Sequence, residues 1–73
     1  MANAANFTQY MTPGGMDNEV FTQAQAAYDS NDFGTLAEIV STAETEPRDV
    51  ICDQFRKAHG TYKAEKTLNV TFL

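Results

Sequence analysis

Cys52 and His59 are the two side chains in this sequence whose types could form a nucleophile–base pair. A nucleophile needs its base within hydrogen-bond reach. The two residues are seven positions apart in a segment with helical periodicity, which would separate them by ~10 Å along the helix axis. We therefore expect no catalytic pair here, with Cys52 a buried or half-buried small side chain and His59 a surface residue.

Carboxylates offer a second kind of chemistry. Asp49 and Asp53 are four residues apart, so they share one face of a helix and could pair for acid–base work. A core of this size can scarcely enclose a substrate pocket, which favours a solvated face for both. A single histidine and a single cysteine give no metal-ligand spacing. We expect a protein that is not an enzyme and has no cofactor, metal or small-molecule substrate.

The length of 73 residues limits the chain to one small domain. A core of this size rarely supplies more than roughly 3–5 kcal/mol, and small domains often add disulfides, metals or partner subunits. One cysteine cannot form an internal disulfide. A protein partner or self-association is therefore the expected additional source of stability.

Charge is distributed unevenly along the sequence. All five basic residues follow Pro47, whereas residues 1–47 contain seven acids and no Lys or Arg, so the first part carries −7 and the rest +2. Two interpretations are open: solvated helix surfaces with attraction between the two parts, or an acidic face for a basic partner. Direct nucleic-acid binding is disfavoured, because five cations are opposed by ten anions. The acids of the first part are Asp17, Glu19, Asp29, Asp32, Glu38, Glu44 and Glu46.

Hydropathy gives no indication of a membrane segment. No apolar run approaches the ~18 residues that a spanning helix needs. Residues 1–11 lack the basic and apolar regions of a signal peptide. The sequence therefore predicts a cytoplasmic protein without membrane contact.

The periodicity predicts a mainly α fold with three helices, at about 17–29, 33–45 and 47–64. Asp17 is suited to cap the first helix, and Asn31 or Asp32 the second. A short link between two amphipathic helices indicates an antiparallel hairpin. The third helix is expected to continue through Gly60, because Tyr62 keeps its apolar stripe in phase.

Six residues of the first two predicted helices and the segment after them have a recognisable spacing: Ala24, Tyr28, Phe33, Leu36, Ala43 and Pro47. This spacing resembles the helical hairpin of a tetratricopeptide repeat. The likeness covers about a third of the chain, departs from the repeat by about one residue in the turn, and has no second copy. The resemblance implies an αα-hairpin and no particular function.

The two ends of the chain differ from its helical middle, 17–66. Residues 1–16 indicate an extended arm with apolar anchors, and 67–73 alternate apolar and polar side chains as a β-strand does. Such a strand cannot satisfy its own backbone. It would pair with the arm around Phe7–Met11, with a copy of itself or with the sheet of another protein, or it would remain irregular.

These observations predict a non-catalytic protein–protein interaction module: a small adaptor, inhibitor or accessory subunit. One alternative is a structural subunit of a larger assembly such as a virion. Another is an acidic, phage-type inhibitor of nucleic-acid-binding or host-defence machinery. The expected partner contacts are Phe7, Tyr10, Met11, Glu38, Glu44, Leu68, Val70 and Phe72.

Overall fold

The computed structural model describes residues 5–72, and these form four α-helices after one short 3-10 turn. The expected mainly helical fold is confirmed, whereas the three-helix count is wrong. No strand occurs among the described residues, so the predicted strand is not formed over 67–72. The elements are the 3-10 turn Thr8–Tyr10, α1 Asn18–Asp29, α2 Phe33–Thr42, α3 Thr45–His59 and α4 Thr61–Leu68.

The first two helices pack against each other as a hairpin. Asn31, in the turn, has a φ of 59°, a left-handed conformation that Asn tolerates better than most residues. Of the two predicted caps, Asp32 takes the role: its carboxylate accepts hydrogen bonds from the Thr35 amide at 3.3 Å and the Thr35 hydroxyl at 2.7 Å. α2 ends at Thr42, three residues before the predicted end, because the backbone of Ala43 is extended.

Gly60 divides the predicted third helix into two. Its φ of 98° and ψ of 155° lie in a region that only glycine occupies at low cost. The chain changes direction there, and the apolar stripe does not continue: Tyr62 is 74% exposed, whereas Ala64 and Leu68 of α4 are buried. The expectation that one helix continues to residue 64 is therefore wrong.

The core lies where α1, α2, α3 and α4 meet. Aromatic rings form one side of it, with Phe55 in edge contact with Tyr28 at 5.9 Å and with Phe33 at 5.8 Å between ring centroids. The largest fully buried side chains are Phe7, Phe55, Leu36, Ile51, Leu68, Val40 and Pro47.

The N-terminal arm lies on α1, where side-chain amides bind its backbone. Gln25 accepts a hydrogen bond from the Phe7 amide at 2.7 Å and donates one to the Ala5 carbonyl at 3.3 Å. Asn18 does the same with Thr12, accepting from its amide at 3.1 Å and donating to its carbonyl at 2.6 Å. The prediction that the whole arm is extended is wrong, because Thr8–Tyr10 form a 3-10 turn and Phe7 has helical backbone angles. The two amide side chains bond backbone groups of the arm that belong to no helix or strand.

The C-terminal segment, residues 69–72, keeps the predicted alternation without forming a sheet. Val70 and Phe72 are half-buried against the core, whereas Asn69 and Thr71 are exposed. A strand requires a partner backbone within hydrogen-bond distance. Pairing with the arm is not formed in the described residues. Leu73 and residues 1–4, the outer parts of the predicted tail and arm, lie outside them.

Candidate functional site: two grooves beside α2

A groove of about 670 Å³ lies between α2, α3 and the C-terminal segment. We call it the C-terminal groove. Apolar side chains from all three elements meet acidic and basic side chains in it. It is lined by Ala37, Glu38, Val40, Ser41, Arg48, Asp49, Cys52, Leu68, Asn69, Val70, Thr71 and Phe72.

Glu65 fixes one edge of the C-terminal segment. Its carbonyl accepts the Val70 amide at 3.2 Å, and its carboxylate accepts the Phe72 amide at 2.9 Å. The Thr71 amide, which lies between these two amides in sequence, is not bonded to Glu65. Within residues 5–72 the Thr71 amide has no hydrogen-bond partner. The guanidinium carbon of Arg56 lies 5.6 Å from the centre of the Phe72 ring and holds the far end of the segment.

The ion pairs of the described residues all involve Asp53, which contacts Arg56 and, at 3.2 Å, Lys57. Hydrogen bonds from Arg56 and then Lys57 lower the pKa of the Asp53 carboxyl. In this part of the chain, none of the seven acids before Pro47 is in an ion pair. Attraction between the acidic and basic parts therefore does not take the form of direct ion pairs here.

Cys52 forms part of the floor of the C-terminal groove and is 6% exposed. Burial, with a smaller contribution from the Asp49 carboxylate, raises the pKa of its thiol. The thiol therefore remains protonated at neutral pH, and a thiol is a much weaker nucleophile than a thiolate. His59 lies on the same helix and is bonded elsewhere, so the residues of this groove provide no nucleophile–base pair.

His59 is half-buried rather than at the surface, which corrects the sequence-based expectation. Its Nε2 lies 2.6 Å from the hydroxyl of Tyr28, and that hydroxyl accepts a hydrogen bond from the Ala5 amide at 3.0 Å. The hydroxyl proton is then available for a neutral imidazole. Burial and, secondarily, the charge of Lys63 lower the pKa of His59, which favours this neutral form.

A second groove, of about 530 Å³, lies between α1 and α2. We call it the hairpin groove. Its floor contains small or aliphatic side chains, and Glu38 borders both grooves. It is lined by Gln23, Ala26, Ala27, Ser30, Asp32, Thr35, Glu38 and Ile39.

The eight residues predicted to contact a partner are divided between surface and core. Glu38, Leu68, Val70 and Phe72 all line the C-terminal groove. Phe7 is fully buried and Met11 half-buried, so both contribute to the protein's own packing. Tyr10 is 41% exposed and its hydroxyl accepts a hydrogen bond from Gln54. Glu44 is the exposed residue before α3 and does not line either groove.

The residues that α3 contributes to the C-terminal groove were not among the predicted partner contacts. Arg48, Asp49 and Cys52 have the three- and four-residue spacing of one helix face, which was the available signal. That face could not be assigned to a groove without knowing which elements pack beside it.

The chain has no known relative that indicates its class. No protein-family model, curated protein or solved structure shows significant similarity to it. Between residues 5 and 72, no group of three or more His, Cys, Asp or Glu side chains is arranged to hold a metal ion. In the same residues, no helix has both the length and the apolarity to cross a membrane.

Proposed function

We propose that this chain is a non-catalytic protein-binding module, in which an extended segment of a partner protein lies in the C-terminal groove beside residues 69–72. The observation that carries the proposal is the backbone of Thr71. Its amide has no partner within residues 5–72, while the amides on either side are held by Glu65. A partner strand would supply the missing hydrogen bonds, as in β-strand addition.

Side chains around the segment support this mode of binding. Val70 and Phe72 are anchored against the core, so the segment is already ordered before a partner arrives. A preordered segment loses little conformational entropy on binding. The protonated state of Cys52 also favours binding over catalysis, because the groove then has no strong nucleophile.

The test is partner capture from native extract with matched variants. Ala37→Phe places a ring in the C-terminal groove, whereas Ala26→Phe makes the same change on α1 in the hairpin groove. A partner that binds as proposed is retained by the wild-type protein and by Ala26→Phe and is lost by Ala37→Phe. Retention by Ala37→Phe at the wild-type level would contradict the proposal.

A second measurement reports on the hydrogen bonds themselves. Adding the captured partner to the labelled protein should slow hydrogen exchange of the Thr71 amide, because an exposed amide becomes bonded. The Glu19 amide in α1, remote in sequence from the groove, provides a comparison. Binding without a change at Thr71 would exclude strand addition and leave only side-chain contacts.

A further inference from the structure

The hairpin groove differs from the C-terminal groove in the size of its floor residues. Ala26 and Ala27 lie on α1 and face Ile39 of α2 across it. Ala26 is exposed and Ala27 almost fully buried, so the floor is shallow and smooth. Small side chains let another backbone approach closely, and the groove between two packed helices accepts the side-chain ridge of a third helix.

The charge around this groove has one sign. Asp32 and Glu38 line it, and no Lys or Arg does. Residues 1–47, which include both helices of the hairpin, contain no basic residue at all. Neither Asp32 nor Glu38 takes part in an ion pair within residues 5–72. A cationic occupant would therefore meet two carboxylates that form no ion pair in the described residues, and Arg48, which lines the C-terminal groove with Glu38, does not line this one.

The length of the groove limits the size of the occupant. Its lining on α2 extends from Asp32 to Ile39. Seven residues of helix rise by about 10 Å, which corresponds to about two helical turns. An amphipathic helix of that length has room for apolar side chains at positions i and i+4 on the floor, with Lys or Arg on its flanks.

We propose that the hairpin groove binds a short amphipathic helix of a partner protein, with its apolar face on Ala26, Ala27 and Ile39 and its cationic flanks beside Asp32 and Glu38. This is a second binding surface, separate from strand addition in the C-terminal groove. The two surfaces adjoin at Glu38. Each can be tested while the other is intact.

The probe is a 14-residue synthetic helix with Leu on one face and Lys on the rest, titrated into isotope-labelled protein and followed by NMR. A Leu and Glu peptide of the same pattern is the charge control. Saturable binding of the Lys peptide, with shifts concentrated at Ala26, Ala27 and Ile39, is the expected result. The Glu peptide should not bind. Failure of the Lys peptide to saturate would overturn the proposal.

Paired variants distinguish binding in the hairpin groove from general attraction of the peptide to an acidic protein. Ala26→Phe should weaken binding of the Lys peptide at least tenfold, whereas Ala37→Phe leaves it unchanged. Glu38→Gln should weaken binding by about threefold, the effect of losing one exposed ion pair, and Glu19→Gln, which removes the same charge elsewhere, should have no comparable effect. Equal losses for the two glutamate variants would show general attraction to an acidic protein and overturn the proposal.

A second blocking variant allows for a misfolded Ala26→Phe. Gln23→Lys adds a cation to the groove at an exposed position of α1 and should repel the Lys peptide. If either Ala26→Phe or Gln23→Lys is folded and still binds the Lys peptide normally, the peptide does not bind in the hairpin groove. The results for these variants also distinguish the two proposals.

If Ala26→Phe binds the peptide normally while Ala37→Phe loses the natural partner, only the proposal for the hairpin groove fails. If Ala26→Phe loses the peptide while Ala37→Phe keeps the natural partner, only the proposal of strand addition fails.

Discussion

At the scale of single residues, Tyr28 connects the N-terminal arm to α3 through one hydroxyl group. That oxygen accepts the Ala5 amide at 3.0 Å and lies 2.6 Å from Nε2 of His59. The Tyr28 ring also contacts the edge of the Phe7 ring, with 5.6 Å between centroids. A neutral imidazole with its proton on Nδ1 can accept the Tyr28 hydroxyl proton at Nε2, and the lowered pKa of His59 favours the neutral form.

The first prediction concerns pH. Because the pKa of His59 is lower in the folded protein than its ordinary value of about 6.5, the unfolded chain takes up this proton first. The stabilising contribution of neutral His59 to the free energy of unfolding should be complete above pH 6.5. It should decrease as pH drops toward the folded-state pKa, at most by about 1.4 kcal/mol per pH unit. Urea unfolding between pH 5 and 8 measures the slope.

His59→Gln is the control for this prediction, because an amide oxygen can accept the Tyr28 hydroxyl proton but does not titrate. His59 is the single histidine of the chain, so the slope between pH 5 and 7 should largely disappear in the variant. An unchanged slope would assign the pH dependence to another group.

At the scale of elements, local patterns were sufficient for α1 and α2 but not for the boundary between α3 and α4. The apolar periodicity and Asp32 predicted the hairpin, since these signals lie within a few residues of each other. The continuing stripe to Tyr62 was misleading, because periodicity contains no information about backbone angles. A glycine in a helix costs only about 1 kcal/mol, so Gly60 alone did not exclude a continuous helix.

Two glycine substitutions test this boundary. Gly60→Ala should lower the free energy of unfolding by about 1–3 kcal/mol, because alanine is strained at a φ of 98°. Gly34→Ala, within α2 and with open space around the new methyl group, should raise it by about 0.5–1 kcal/mol. Chemical denaturation gives both values. Equal effects of the two substitutions would show that the backbone at Gly60 is not restricted.

The C-terminal segment shows why a strand was predicted where none is formed. The alternation of Val70 and Phe72 with exposed Asn69 and Thr71 is present, and it is the local property that the sequence specifies. Pairing is a property of distant chain segments and has no local signal. In the arm, the backbone partners are instead the side chains of Gln25 and Asn18. Nothing in the spacing of these residues predicted that contact.

At the scale of the whole molecule, the two ends of the chain contribute differently to stability. The arm inserts Phe7 into the centre of the core, where it is 0% exposed. The C-terminal segment covers the outside, and Phe72 is only half-buried. Because a core of this size rarely supplies more than roughly 3–5 kcal/mol, we expect folding to require the arm but not the C-terminal segment.

Alanine substitutions at the two ends should therefore have unequal effects. Phe7→Ala should cost about 3–5 kcal/mol, enough to abolish the cooperative thermal transition. Phe72→Ala should cost about 1 kcal/mol and leave the transition cooperative, because the ring is only partly removed from water. Phe7→Leu, which keeps an apolar side chain of similar size, should restore a measurable transition. Similar melting curves for Phe7→Ala and Phe72→Ala would contradict this difference.

The candidate site was predictable only in part, because it is formed by the packing of elements that are distant in sequence. Glu38 was predicted from the acidic charge of the first part of the sequence, and Leu68, Val70 and Phe72 from their alternation; the structure brings all four to one groove. Arg48 and Cys52, from a different helix, complete that groove through tertiary packing. A single sequence does not specify which helix faces meet.

The position of Cys52 has a consequence for the chemical sensitivity of the protein. A protonated thiol that is 6% exposed reacts with an electrophile chiefly in molecules that have opened transiently. Modification would then leave a bulky adduct on the floor of the C-terminal groove and prevent α3 from repacking. The rate at which alkylating or oxidising agents modify Cys52 would therefore follow the frequency of opening. A partner bound in the C-terminal groove would protect the thiol from both kinds of agent.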